Sequence, residues 1–484
     1  MRPNRRDLVL VLFAVALSGC TLLWEVAPHD EGLMLAAAER IADGEMPYRD
    51  FWWNYGPGQA YLLGALSALT GPSLLAWRIV RVAVDATVAV LVARTVADRA
   101  GPAPGRWPLA SGLAAAAVMA WPTGPGPWPP ALALALAGFL VADRRPREAG
   151  ALAGLAAIMR PDLGVLAAAG MLIDRPRRSL GSAFAVVVAV GYAPFVLLAG
   201  NELVDQTVGF AGIQDLQRLP FPLPLGEAWP DPNKLLEAAF PALLVAGTAG
   251  VGLWLGLRRG RVPGGAWAFL PLAVGGLAYL LARTDEFHAG PLALMLVVLA
   301  GIAGARDRAA AVRVGACALL AVIALHGVER QVGRLLHPGD LVALPGPSAD
   351  GVRADRAFAD GVRLVASATA GVPGPVLVAP SRFDQVRFGA PLLYVLLRRS
   401  NPSRYDVIQP GVVTTEEVQR EIAADLRRTR TPWVVRWVAP QARVREPNGS
   451  GRSSGVRLLD AVIARDYREV ARDGSFVVLA RRER

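Results

Sequence analysis

The sequence predicts a mainly α-helical bundle that crosses a membrane many times, followed by a smaller extracytoplasmic α/β domain. Three observations lead there. Hydrophobic residues make up 53% of the 484 and charged residues only 19%, with a mean hydropathy of +0.37, too apolar for an ordinary soluble enzyme of this length. Apolar runs, most of them near the ~20 residues needed to cross a bilayer, recur through the first two thirds of the chain. Beyond His337 the charges spread evenly and no further membrane-length run occurs. The expected division is 1–330 for the bundle and 331–484 for the second domain.

The apolar runs are Leu8–Trp24, Ala76–Ala97, Pro108–Trp121, Pro130–Val141, Ala149–Ile173, Leu180–Ala199, Leu235–Leu257, Gly265–Ala282, Ala289–Ala305 and Ala309–Leu325. Several are rich in Ala and Gly, as in closely packed bundles. The net charge of +11 comes from 51 Lys and Arg against 40 Asp and Glu, and the arginines cluster between apolar runs. That is a topological pattern, because cytoplasmic loops carry the excess of cations; it is not a nucleic-acid footprint. The clusters at 1–7, 143–148, 174–179, 258–261 and 306–308 are therefore expected inside. Residues 24–58, 121–130, 200–234, 283–288 and everything after about Gly327 are then expected outside.

Both loops flanking Ala149–Ile173 are basic, so this run should split at Arg160-Pro161-Asp162 into two short helices. Proline disfavours the helical conformation in the residue before it. Pro57–Thr70 must then be re-entrant or lie along the surface for the crossings to close. Leu17-Ser18-Gly19-Cys20 is similar to a lipoprotein cleavage box, although a retained first helix suits a following catalytic loop better. Cys20 and Cys317 both lie in apolar runs and make no disulfide framework or cysteine metal site. In the second domain, Val376–Ala379, Trp433–Val438 and Phe476–Ala480 read as strands. Thr414–Arg428 and Gly455–Arg465 read as helices, the first with a capping box from Thr414 and Glu417. No internal repeat is visible.

The residues that suggest chemistry sit at 25–57, the first external loop. Asp30 and Glu31 follow the first helix, and a Trp- and Tyr-rich stretch, Pro47-Tyr48-Arg49-Asp50-Phe51-Trp52-Trp53, ends at Tyr55-Gly56-Pro57. Such rings favour the headgroup zone, so the loop should lie on the membrane. Arg160, Arg283 and His288 fall at outer helix ends, where a guanidinium can contact a phosphate bidentately or simply snorkel to the headgroups. Arg81 and Asp85 share one helix face inside an apolar run and should pair. Arg382, Asp384, Tyr394, Arg398, Arg404 and Tyr405 form a polar, aromatic group expected to dock acceptor or the first loop. No Gly-rich nucleotide loop, Ser/His/Asp set or metal-spaced His cluster occurs.

The loop pattern, DEG followed by A-x-x-I-x-x-G-x-x-P-Y-x-D-F and Y-G-P, resembles the first external loop of GT-C-type glycosyltransferases that use polyprenyl-phosphate sugars. This superfamily includes protein O-mannosyltransferases and the aminoarabinose transferase of lipid A. The resemblance extends to Arg78, LAAIMRPD, FPLPLG (221–226), RTDEFHAGPL and the outer α/β domain. It implies inverting transfer of a lipid-linked sugar to an acceptor at the outer face of the cytoplasmic membrane, with Asp30 as base and Glu31 beside it. Arg78, Arg160, Arg283, His288, Tyr48 and Tyr55 would then bind substrate or lipid phosphate. The partners implied are a polyprenyl-phosphate sugar and a glycan, lipid or protein acceptor, with membrane lipids around and no nucleic acid. Arg160 stands where the family often has Lys, and WPTGPGPWPP lacks the acidic residue many members carry, which leaves a divalent cation an open option. A polytopic transporter or lipid flippase is the rival function.

Overall fold

The computed structural model describes residues 4–121, 124, 126–219, 221, 235–258 and 265–483. Among the described residues, fifteen α-helices precede the second domain: α1 Arg5–Gly19, α2 Asp30–Ala42, α3 Pro57–Thr70, α4 Leu74–Ala100, α5 Trp107–Met119, α6 Trp128–Val141, α7 Pro146–Met159, α8 Pro161–Asp174, α9 Arg178–Ala199, α10 Asn201–Val204, α11 Phe210–Ile213, α12 Leu235–Leu257, α13 Leu270–Ala282, α14 Glu286–Arg306 and α15 Ala310–Leu336. Among the described residues, α9, Ala239–Leu257 of α12, α14 and α15 are long and apolar enough to cross a membrane. α14 is 89% buried over its apolar window whereas α9 is only 6% buried. An apolar helix buried on every side belongs at the centre of the bundle, and one that packs along a single seam, as α9 does against α7, must turn its other sides to lipid.

Ion pairs join the Arg-bearing loops at one end of the bundle. Arg94 meets Asp7 at 2.8 Å, Arg99 meets Asp174 at 2.8 Å, Arg175 meets Asp143 at 2.8 Å and Arg258 meets Asp307 at 3.0 Å. Residues 259–261 of the 258–261 cluster lie outside the described residues.

The expected split of Ala149–Ile173 is present: α7 ends at Met159, Arg160 is extended (φ −151°, ψ 106°) and α8 begins at Pro161. The two helices then run back along each other so closely that a Cβ on Gly164 would stand 2.1 Å from the Ala157 nitrogen. α3 does not cross. Its first turn abuts the α7–α8 tip, Gly58 lying against Ile158 and Met159. Past its other end, Leu74 N–H donates to the Ser348 carbonyl of the second domain at 2.9 Å.

The second domain begins beyond α15. β1 Leu341–Ala343 and β2 Arg353–Asp355 pair antiparallel, and α16 Arg356–Thr369 follows. β3 Val376–Pro380, α17 Leu392–Leu397, α18 Glu416–Arg428, β4 Trp433–Trp437, α19 Pro440–Arg443, α20 Leu458–Asp466, β5 Tyr467–Arg472 and β6 Phe476–Arg481 complete it. The sheet order is β3-β4-β6-β5, with β3 and β4 parallel and the other pairs antiparallel. A parallel pair needs a long crossover, and here α17 and α18 supply it. The cap of α18 is Thr415, whose hydroxyl accepts from Val418 N–H, rather than Thr414, whose hydroxyl accepts from Gly411 N–H.

The aromatic loop departs from expectation. Tyr48, Phe51, Trp52 and Trp53 are 0, 1, 9 and 0% exposed, and they share one core with the second domain. A protein surface covers the loop, so its rings pack there instead of among headgroups. Each buried ring of this size contributes about 1.5–3 kcal/mol, which ties the loop to its cover.

With the Arg-rich end in the cytoplasm, as the cation bias requires, Asp162→Cys should react with an impermeant maleimide from outside in intact cells. Glu148→Cys should react only after permeabilisation. The reverse pattern would invert the topology.

Candidate active site

Helix α2 opens on the acidic pair, and its two carboxylates part at once. Glu31 turns inward, where Arg78 of α4 grips it bidentately, Nε to Oε1 at 2.8 Å and Nη2 to Oε2 at 2.9 Å. Both side chains are 1% exposed. The same guanidinium donates to the carbonyls of Leu22, Trp24 and Glu25, which pins the chain between α1 and α2. Arg78, expected on lipid phosphate, therefore has every nitrogen engaged within the protein. Tyr48 is corrected likewise: its hydroxyl donates to the Tyr55 carbonyl at 2.6 Å, and its φ of +71° marks a tight backbone turn.

Asp30, the first residue of α2, is exposed where Glu31 is buried. Its charge acts on both His29 and Tyr55. Burial pushes the Tyr55 hydroxyl well up, with Tyr279 and Asp30 adding to the rise and Arg160 opposing it. Burial holds the His29 imidazole below its usual value, and its Nε2 lies 2.9 Å from the Gln409 amide nitrogen.

Arg160 occupies the break between α7 and α8, a position that the following proline enforces. Its guanidinium lies 4.2 Å from the centre of the Tyr279 ring, and its Nε donates to Asp162 at 3.0 Å. Tyr279 in turn packs 4.2 Å from His288. His288 Nδ1 is 2.6 Å from Asp285 Oδ1, and Asp285 caps α14 through the His288 backbone N–H. Arg283 donates to Asp285 at 2.7 Å and spans Glu446 of the second domain at 2.9 and 2.7 Å. Arg387 donates to Glu446 as well, at 3.0 Å.

The structure thus brings Asp30, Tyr55, Arg160, Arg283 and His288 into one neighbourhood. Arg78, Glu31 and Tyr48 lie behind it as its support. His29, next to the acidic pair, and Asp285, inside RTDEFHAGPL, join them, and so do Tyr279, Glu446, Arg387 and Gln409, which were not selected from the sequence. Tyr279 carried a weak signal, a tyrosine one turn before Arg283 at the end of an apolar run, whereas Glu446 carried none. Among the described residues, no three His, Cys, Asp or Glu side chains gather as a metal site would need. The FPLPLG segment lies outside the described residues except for Phe221.

The docking group of the second domain separates. Arg404 reaches the first loop, donating to the Tyr48 carbonyl at 2.7 Å, and Trp52 N–H donates to the Arg404 carbonyl at 2.8 Å. Arg382 pairs with Asp384, Tyr394 accepts from Val378 N–H and Tyr405 donates to Glu421, so these three serve their own domain. Arg398 ends α17 in the left-handed region and reaches the first loop only through its charge, which acts on Glu39. At Gly32 the first loop's backbone meets that of the second domain: a Cβ there would stand 2.2 Å from the Leu392 nitrogen.

No family model and no curated protein matches this chain. Its structure is similar to that of ArnT from Cupriavidus metallidurans, solved bound to undecaprenyl phosphate, with a TM-score of 0.51 and 14% sequence identity over 98% of this chain and 97% of that one. The two share a fold. The likeness spans bundle and second domain alike, and it agrees with the GT-C-like architecture that the loop pattern implied.

Arg78→Leu leaves Glu31 buried without a partner and should cost about 3–5 kcal/mol, read as a lowered melting temperature in detergent, whereas the Glu31→Leu/Arg78→Leu pair should recover most of it. Burial alone would raise the Glu446 carboxyl, but Arg283, Asn448 and Arg387 hold it below its usual value. Its stabilising contribution is then full above the ordinary Glu range of ~4.3 and lost as pH falls toward the lowered value. Glu446→Gln should flatten that acid limb in a melting-temperature profile.

Proposed function

We propose that this protein is a membrane glycosyltransferase that moves a sugar from a polyprenyl-phosphate donor to an acceptor at the outer face of the cytoplasmic membrane, with inversion and with Asp30 as base. The observation that carries this reading is that Asp30 and Arg160 act with opposite sign on one buried hydroxyl, that of Tyr55. A proton acceptor and a cation are therefore both close enough to act on the same side chain, and Arg160 is held there by stacking on Tyr279 at 4.2 Å. The fold shared with an undecaprenyl-phosphate-bound protein supports the lipid-linked donor.

The chemistry needs a base for the incoming group and positive charge where the leaving phosphate gains it. Asp30 takes the acceptor's proton as its oxygen or nitrogen bonds to the anomeric carbon. The bond from that carbon to the phosphate oxygen breaks on the opposite face, and the polyprenyl phosphate leaves with the electron pair. Arg160 has a single carboxylate partner, Asp162, itself half exposed, so its guanidinium can turn to the phosphate. When protonated on both nitrogens, His288 donates one N–H to Asp285 and offers the other to the same anion. Arg283 is already engaged by Asp285 and Glu446; it acts by holding Asp285, His288 and the second domain in place. Glu31, Arg78 and Tyr48 are positioning residues that fix the loop carrying Asp30.

A transporter is less well supported, because transport sites place open ionisable groups at the midplane. Here the intramembrane Arg81 is closed off by Asp85 at 2.6 Å and by the carbonyls of Gly124 and Met119, each at 2.9 Å.

Asp30→Asn should lower sugar transfer from radiolabelled polyprenyl-phosphate sugars by about 100-fold or more in membranes, the scale of a lost general base. Expression and melting temperature should stay unchanged. Retention of full activity would remove Asp30 from the mechanism.

A further inference from the structure

Outside this neighbourhood the second domain carries a cleft of about 610 Å³, within the range of small-molecule sites. Its floor is one face of the sheet, on which alternate residues such as Val477 and Leu479 of β6 and Tyr467 of β5 line up. Five guanidiniums reach it, those of Arg382, Arg436, Arg443, Arg445 and Arg472, against the one carboxylate of Glu469. Arg382, Arg436 and Arg472 pair with Asp384, Asp460 and Glu469, each at 2.7 Å. Arg443 and Arg445 are exposed, and among the described residues neither has an ion-pair or hydrogen-bond partner. A second hollow of about 540 Å³ shares Arg443 and Arg472 and extends the cleft. The chain then runs from Arg445 directly into Glu446, which Arg283 and Arg387 hold, so the cleft opens beside the proposed transfer site.

We propose that this cleft binds the acceptor and that the acceptor is an acidic saccharide. Its anionic groups meet Arg443 and Arg445, and its rings lie on the sheet face at the half-buried Leu479. Two unneutralised cations beside an empty hollow match separated anionic groups on a chain of sugars, and guanidiniums bind such groups through paired hydrogen bonds. A flat lipid surface would meet cations on a convex face, whereas these line a concave one. The word acceptor rests on the glycosyl-transfer reading; the binding itself does not.

The test uses the full chain in nanodiscs of uncharged lipid, with a fluorescent oligogalacturonide as probe and a neutral cello-oligosaccharide of equal length as control. The acidic probe should bind, the neutral one should not, and Arg443→Ala/Arg445→Ala should weaken binding about tenfold or more, the scale of one lost charged hydrogen bond. The charge-matched Arg144→Ala/Arg147→Ala protein, altered at the other end of the bundle, should bind as the unaltered chain does. Equal binding by all three proteins, or equal loss in both variants, would overturn the cleft. So would phosphatidylglycerol vesicles bound through Arg443 and Arg445 in the absence of oligogalacturonide binding, which would make the cleft a membrane contact. Binding without any sugar transfer would overturn the glycosyl-transfer reading and leave the cleft standing. Transfer with an unchanged acceptor KM in the Arg443→Ala/Arg445→Ala protein would overturn the cleft's acceptor role alone.

Discussion

One buried ion pair organises the end of the bundle that meets the second domain. Removing two charges from water costs several kcal/mol each, and only near-ideal geometry with further hydrogen bonds offsets it. Glu31 and Arg78 meet that condition: the carboxylate is bound bidentately, and the remaining guanidinium hydrogens go to the carbonyls of Leu22, Trp24 and Glu25. The pair fixes three things together, namely the exit of α1, the start of α2 and the height of α4. Because Asp30 precedes Glu31 by one residue, locking Glu31 inward also sets the direction in which Asp30 faces.

The second domain completes the arrangement. Its contacts with the bundle are numerous and of different kinds: aromatic burial of the first loop, main-chain hydrogen bonds at Trp52 and Leu74, and charge pairing at Arg40 with Asp406 and at Arg283 with Glu446. A cover held this way excludes water from the loop's inner side. Electrostatic interactions strengthen where water is excluded, so under the proposed function Arg160 would act on a leaving phosphate more strongly than it would in open solvent. The same domain turns Glu446 toward the bundle and Arg443 and Arg445 toward the cleft.

Much of the fold was legible in the chain. The apolar runs, the Arg-bearing loops and the break at Arg160-Pro161 all follow from local rules, since hydropathy, charge bias and proline sterics act over a few residues. The three strand-like runs of the second domain were legible for the same reason, being short, β-branched and aromatic. The aromatic loop was misjudged because Trp and Tyr look alike to local chemistry whether a bilayer or a protein covers them. Arg78 was misjudged because its partner lies 47 positions away, and an arginine's role depends on which anion reaches it.

By itself the sequence determined the class of the molecule, the positions of its helices and the loop that carries the acidic pair, because each of these depends on the free energy of short segments in water or lipid. Tertiary structure alone decided which carboxylate is buried and which stays open, and which arginines are used up within the protein. It also decided that Tyr279, Asp285 and Glu446 belong beside Asp30. Those outcomes depend on long-range pairing, where the cost of burying a charge is set by a partner that no local pattern identifies.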